Sequence, residues 1–201
     1  MPRVLSDTDV ADFRERLCEA AERLFAERGP DAVTMRQLAA ELGVSPMTPY
    51  RYFEDKDDIL AAVRTNGFTQ FAEALEAARA GSAAKGARAV GTAVGEAYVS
   101  FALENPHSYK LMFDFNQPHA EKYPELVAAG LRAQQTMTGY IKDAMAEGLM
   151  SGDPVQIGLM NWAAVHGAVI LELSGMLPPG GARMVFRGFD SALIRGLRPQ
   201  D

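Results

Sequence analysis

Between Thr34 and Lys56 the chain reads TMRQLAAELGVSPMTPYRYFEDK, and its caps and breaks dictate two short helices across a tight turn. Thr34 is followed three residues later by Gln37, a pairing in which hydroxyl and carboxamide satisfy orphan N–H groups at a helix start. Leu38, Ala39 and Leu42 give that helix an apolar side, and Gly43 supplies the left-handed residue that ends it. Ser45-Pro46 opens a second helix, with a hydroxyl for the free N–H groups and a proline where no helical partner is needed. That helix closes on Tyr50, Arg51, Tyr52 and Phe53 before Asp55 opens another. Helix, glycine turn, helix is a helix-turn-helix, whose second helix has the size that enters the DNA major groove.

The same stretch resembles the DNA-binding domain of TetR-type transcriptional regulators. The pattern T-x-x-x-L-A-x-x-L-G-V-S-x-x-x-x-Y-x-Y-F-x-x-K-x-x-L is met by Thr34, Leu38, Ala39, Leu42, Gly43, Val44, Ser45, Tyr50, Tyr52, Phe53 and Lys56, with Ile59-Leu60 at its end. Further on, ENPHSYKLMF and WAAVHGAVILELSG resemble one branch of TetR-type C-terminal domains, in which a Trp-x-x-x-His-Gly segment lies on the eighth helix; here it is Trp162, His166 and Gly167. The resemblance implies phosphate binding at Tyr50, Tyr52 and Lys56 and a cavity for a small effector. Pro49 departs from the pattern, which has an unrestricted residue before Tyr50. So early in a helix its missing N–H removes little. It is expected to push Thr48 away from helical angles and leave the first turn irregular.

The rest of the chain predicts an all-α fold of about nine helices, since no segment alternates with period two for long. The first helix spans about 8–27, the next two form the helix-turn-helix, and the fourth runs from Asp55 to about Ala80. The fifth covers about 87–104 and Asn105-Pro106 caps a short sixth, HSYKLMFDF; residues 116–118 make a turn. Pro124 starts the seventh, Asp153-Pro154 the eighth, and the ninth runs from about Ala182 to Leu197. Two domains are expected: a helix-turn-helix domain at 1–56 and an effector-binding and dimerisation domain at 57–201, joined through the long fourth helix.

Composition limits the function. No run of about eighteen apolar residues exists, so no membrane helix is expected. MPRVLSDTDVADF lacks the apolar centre of a signal peptide, and the single cysteine, Cys18, fits a reducing cytoplasm and reads as a buried, inert thiol. The net charge is −6, and residues 1–60 carry most of it, with eight Lys/Arg against thirteen Asp/Glu. Non-specific attraction to phosphates is therefore weak, and useful affinity needs two copies bound together. Enzyme readings fail. His107, His119 and His166 lack metal-ligand spacing, and there is no glycine-rich phosphate loop and no nucleophile elbow around Ser151 or Ser174. Neither a metal nor a cofactor is expected.

Within the helix-turn-helix, Ser45, Met47, Thr48 and Arg51 are candidates for the groove, with Arg51 able to fork onto a guanine edge and Met47 to touch a thymine methyl. Tyr50, Tyr52 and Lys56 offer hydroxyls and a charge to phosphates. Thr34 and Arg36 stand at the start of the preceding helix and should meet the DNA backbone; for Thr34, contact and capping are equal alternatives. Downstream, Phe68, Phe71, Met112, Phe113, Met137, Tyr140 and Trp162 read as core residues one by one, and as a set they suit an adaptable apolar cavity. His166, one turn from Trp162, is either a polar anchor in that cavity or a core histidine bonded to a backbone carbonyl. The last two helices carry more apolar surface than one chain needs, which suits a four-helix dimer interface. The expected function is a cytoplasmic, homodimeric repressor that binds a palindromic double-stranded operator and is released by a small apolar effector. The alternative is a helical small-molecule-binding or protein-interaction dimer that has lost DNA binding.

Overall fold

The structure, a computed structural model, describes residues 7–114 and 120–199. Among the described residues every regular element is helical: α1 (Asp7–Arg28), α2 (Met35–Glu41), α3 (Lys56–Ser82), α4 (Ala87–Glu104), α5 (Pro106–Met112), α6 (Pro124–Ala146), α7 (Pro154–Leu173) and α8 (Gly181–Gly196). The expected third helix is replaced by a short 3-10 turn, Pro49–Arg51, so eight α-helices stand where about nine were expected. α5 stops at Met112, short of the predicted HSYKLMFDF; the expected turn at 116–118, with Phe115 and His119, lies outside the described residues.

The chain divides into two compact units, one made from Met1–Phe68 with His107–Ala128 and the other from Thr69–Pro106 with Ala129–Asp201. The division falls within α3, later than residue 56. The apolar face of α3 runs on without a break, and residues 107–128 belong with the N-terminal helices.

In the first unit, the three-and-four spacing of Leu17, Ala21, Leu24 and Phe25 brings one side of α1 against Leu38, Phe53 and Ile59, and Leu111 of α5 joins this core. α5 is also tied by polar bonds. Lys110 donates to the carbonyl of Ala26 at 2.7 Å, where the last carbonyls of α1 lack helical partners, and buried Arg64 donates to the carbonyl of Met112. Burial pushes the Cys18 thiol up to about 11, as an inert thiol requires.

α2 is framed by the local signals. The Thr34 hydroxyl accepts from the Gln37 N–H while the Thr34 N–H donates to the Gln37 carboxamide at 2.8 Å. At the other end Gly43 adopts φ 65°, and the N–H groups of Gly43 and Val44 return to the carbonyls of Ala40 and Ala39.

In the second unit α7 and α8 pack against each other and against α4. Small residues on α4 allow close approach: a Cβ at Gly91 would meet the Tyr140 ring at 2.7 Å, and one at Gly95 the Phe186 ring at 1.9 Å. Phe71 packs edge-on against Tyr98 and Phe101. Asp153 caps α7 through the N–H groups of Val155 and Gln156, as its Asp-Pro start demands. The Glu172 carboxylate receives the N–H groups of Gly180 and Ala182 at the start of α8, which holds its pKa below the usual carboxylate range.

Two stability outcomes follow. Thermal unfolding of Gly95→Ala should show a loss of about 1–3 kcal/mol, whereas Gly130→Ala, with open space at its Cβ, should be neutral or slightly stabilising. In urea titrations Thr34→Ala should cost about 1 kcal/mol and Thr34→Ser little, since serine keeps the capping oxygen.

Candidate nucleic-acid interface

The segment after α2 begins as its sequence requires and then departs from an α-helix. The Ser45 hydroxyl sits 3.5 Å from the Met47 N–H, a long contact for a cap. Pro49 has no N–H to return to the Ser45 carbonyl, which instead receives Thr48 N–H at 2.8 Å. Arg51 N–H then bonds to Thr48 and Tyr52 N–H to Pro49, both three residues back. Thr48 nevertheless keeps helical angles, φ −64° and ψ −46°. The expected displacement by Pro49 is absent: Pro49 is buried, and the bond from Thr48 to Ser45 holds the turn against the steric preference.

This geometry leaves Met47 68% exposed and Tyr50 49% exposed, with Ser45 and Arg51 exposed and Thr48 half-buried. Thr34 and Arg36 are exposed at the start of α2. The Thr34 hydroxyl is engaged in the cap, so its capping role holds whatever it meets outside. Tyr52 is half-buried and stacks on Phe13 at 4.3 Å between centroids, and Lys56 donates to the Pro30 carbonyl at 2.6 Å. Both therefore fasten the motif to its surroundings. Arg14 adds a bond to the Tyr52 carbonyl and lays its guanidinium over the Phe53 ring at 4.0 Å.

The junction with α3 is built on carboxylates. Asp55 receives the Asp58 N–H at 3.0 Å, and Asp58 reaches back to receive the Glu54 N–H at 2.9 Å. The second oxygen of Asp58 accepts from the Tyr123 hydroxyl at 3.0 Å. Asp57 and Asp58 in the first turn of α3 also suit its positive end. Tyr123 had no local signal, because its partner is 65 residues away.

The candidate effector residues divide between the units. Phe68, Met112 and Phe113 lie in the first, where Phe68 meets Phe113 edge-on at 5.6 Å and Met112 is buried. Phe71, Met137, Tyr140, Trp162 and His166 lie in the second. Phe71, Met137 and Tyr140 are buried there, and the Tyr140 hydroxyl accepts from buried Asn161, a polar residue the sequence reading missed. The half-buried His166 ring stands 3.2 Å from the Tyr98 hydroxyl. Desolvation lowers its pKa, so the ring is neutral near pH 7.

Comparison with known proteins agrees with this geometry. Residues 17–63 match the model for bacterial regulatory proteins of the tetR family, and residues 91–193 match that for the tetracyclin repressor-like C-terminal domain. The helix-turn-helix transcriptional regulator Rv0681 of Mycobacterium tuberculosis is 27% identical over 184 residues, covering 92% of this chain and 81% of that protein. A protein of unknown function from Rhodococcus sp. RHA1 superposes with a TM-score of 0.79 at 30% identity, covering 99% of this chain and 100% of the other. A tetR-family regulatory protein from Rhodococcus RHA1 shares the fold, with a TM-score of 0.75 at 20% identity over 94% of this chain and 98% of its own. The chain belongs to the TetR family of transcriptional regulators, and is a helix-turn-helix DNA-binding regulator and not an enzyme.

Proposed function

We propose that this regulator is a cytoplasmic homodimeric repressor that binds a palindromic operator and leaves it when a small apolar effector binds. The observation that carries the reading is the recognition turn, which holds Met47, Tyr50 and Arg51 out to solvent on a backbone fastened from behind. Arg51 would read a guanine edge and Met47 a thymine methyl, with Ser45 and Thr48 beside them. Tyr50, Tyr52, Lys56, Thr34 and Arg36 would meet phosphates, Lys56 through donors beyond the one that holds Pro30.

The dimer rests on α7 and α8. By length and composition α7 could cross a membrane, yet only a third of its most apolar stretch is buried within one chain. Exposed Val155, Leu159, Ile170 and Leu173 fall within about 60° of one another around the helix. Met184 and Val185 of α8 are also exposed. A second copy would cover this surface and pair two recognition turns, whose two-fold axis predicts a palindromic site. The effector would be held within the second unit, near Phe71, Met137 and Tyr140 and with Trp162 and His166 on one helix face, and α3, which contributes to both units, would be the lever.

Sedimentation at micromolar concentration should give a dimer; a monomer would remove the basis for a palindrome. In gel shifts with the DNA upstream of its own gene, the protein should prefer one site over scrambled DNA. No preference at low or moderate salt would favour the dimer that has lost DNA binding. Arg51→Ala should weaken operator binding by about 1–3 kcal/mol, roughly five- to 150-fold, and relax discrimination at one base pair. Unchanged affinity would refute the base-reading role of Arg51.

A further inference from the structure

We propose that Tyr123 and Asp58 are positioning residues for DNA reading: the Tyr123 hydroxyl orients the Asp58 carboxylate that receives the Glu54 N–H, and so fixes the recognition turn against α3. The inference rests on the recognition turn being the DNA-reading element. The two oxygens of Asp58 do different work, one accepting from Glu54 N–H at 2.9 Å and the other from Tyr123 at 3.0 Å. A carboxylate held only by the backbone could swing about its terminal torsion, which is broad. Held from both sides, it cannot turn without losing a charge-assisted bond.

Glu54 directly follows Phe53, the last residue bonded back to the Pro49 turn, so its N–H sets the direction in which the turn leaves. Packing does little of this work at that edge. A cleft of about 600 Å³ lies beside the turn, and its lining includes Tyr50, Arg51, Glu54, Lys122, Tyr123 and Leu126. Asp58 and Tyr123, the two partners of the bond, both line it. The phenol remains a donor across the physiological range, because burial and then the Asp58 carboxylate raise its pKa.

The test uses the full-length protein and Tyr123→Phe, which removes the hydroxyl and keeps the ring. Two quantities are read: the ratio of operator to scrambled-DNA affinity, and the hydrogen exchange rate of the amides in residues 50–54. The ratio should fall roughly three- to tenfold and exchange should quicken by a similar factor. Asp58→Ala should do at least as much. Asp58→Asn should stay within about twofold of wild type, because its carbonyl can receive Glu54 N–H while its amide donates to the phenol oxygen. A Tyr123→Phe protein with a lowered melting temperature but unchanged ratio and exchange would overturn the proposal, as would wild-type behaviour throughout. Absence of operator preference in the wild type would overturn the function proposed above; the exchange rates would still decide this proposal, unchanged rates overturning it.

Discussion

The nitrogen of Pro49 carries no hydrogen, and that missing donor governs how the DNA-reading element is held. An α-helix from Ser45 would return the amide of residue 49 to the Ser45 carbonyl. Here Thr48 takes that acceptor instead, and the chain tightens into a 3-10 turn. Such a turn has few internal bonds and gains little from cooperative propagation. Its order must come from outside. Phe13 and Arg14 hold Tyr52 and Phe53 from α1, and Asp58 holds Glu54 from α3. In a 3-10 turn residues three apart eclipse, so Thr48 and Arg51 stand nearly in line rather than spread around a helical face. On the proposed reading, the groove would be met by a short row of side chains on a braced backbone.

What the sequence made legible was local. Thr34 with Gln37, Gly43, and Asp153-Pro154 act within a turn of their own positions, so their residue types alone locate the helix ends. The same reasoning failed at Thr48. The proline rule describes an isolated dipeptide, and burial of Pro49 with the bond to Ser45 outweighed it. The limits of the first unit were hidden for a different reason. Lys110 with Ala26, and Tyr123 with Asp58, pair residues 84 and 65 positions apart, and nothing in either segment names its partner. Nothing near Gly91 or Gly95 names Tyr140 and Phe186, which fill the space these glycines leave. For His166 the sequence left two readings, and neither named the Tyr98 hydroxyl beside it, 68 positions away.

Charge and apolar surface then bear on each other. Residues 1–60 are acidic by five charges, and several of their cations serve the fold. Lys56 is bonded to Pro30, Arg14 to Tyr52, and Arg23 to Glu41. Arg36 and Arg51 remain exposed near the recognition turn. A single copy whose first sixty residues are acidic overall would gain little from general attraction to phosphates, so the sequence-independent part of its affinity would be small. Sequence-specific contacts are only a few kilocalories each, and a single short turn makes few of them. Linking two turns changes this, because the second binds at a high effective concentration. The apolar faces of α7 and α8 can supply the link without adding positive charge, and weak general attraction then works in favour of discrimination. A dimer of this kind would hold scrambled DNA poorly and depend on both half-sites matching.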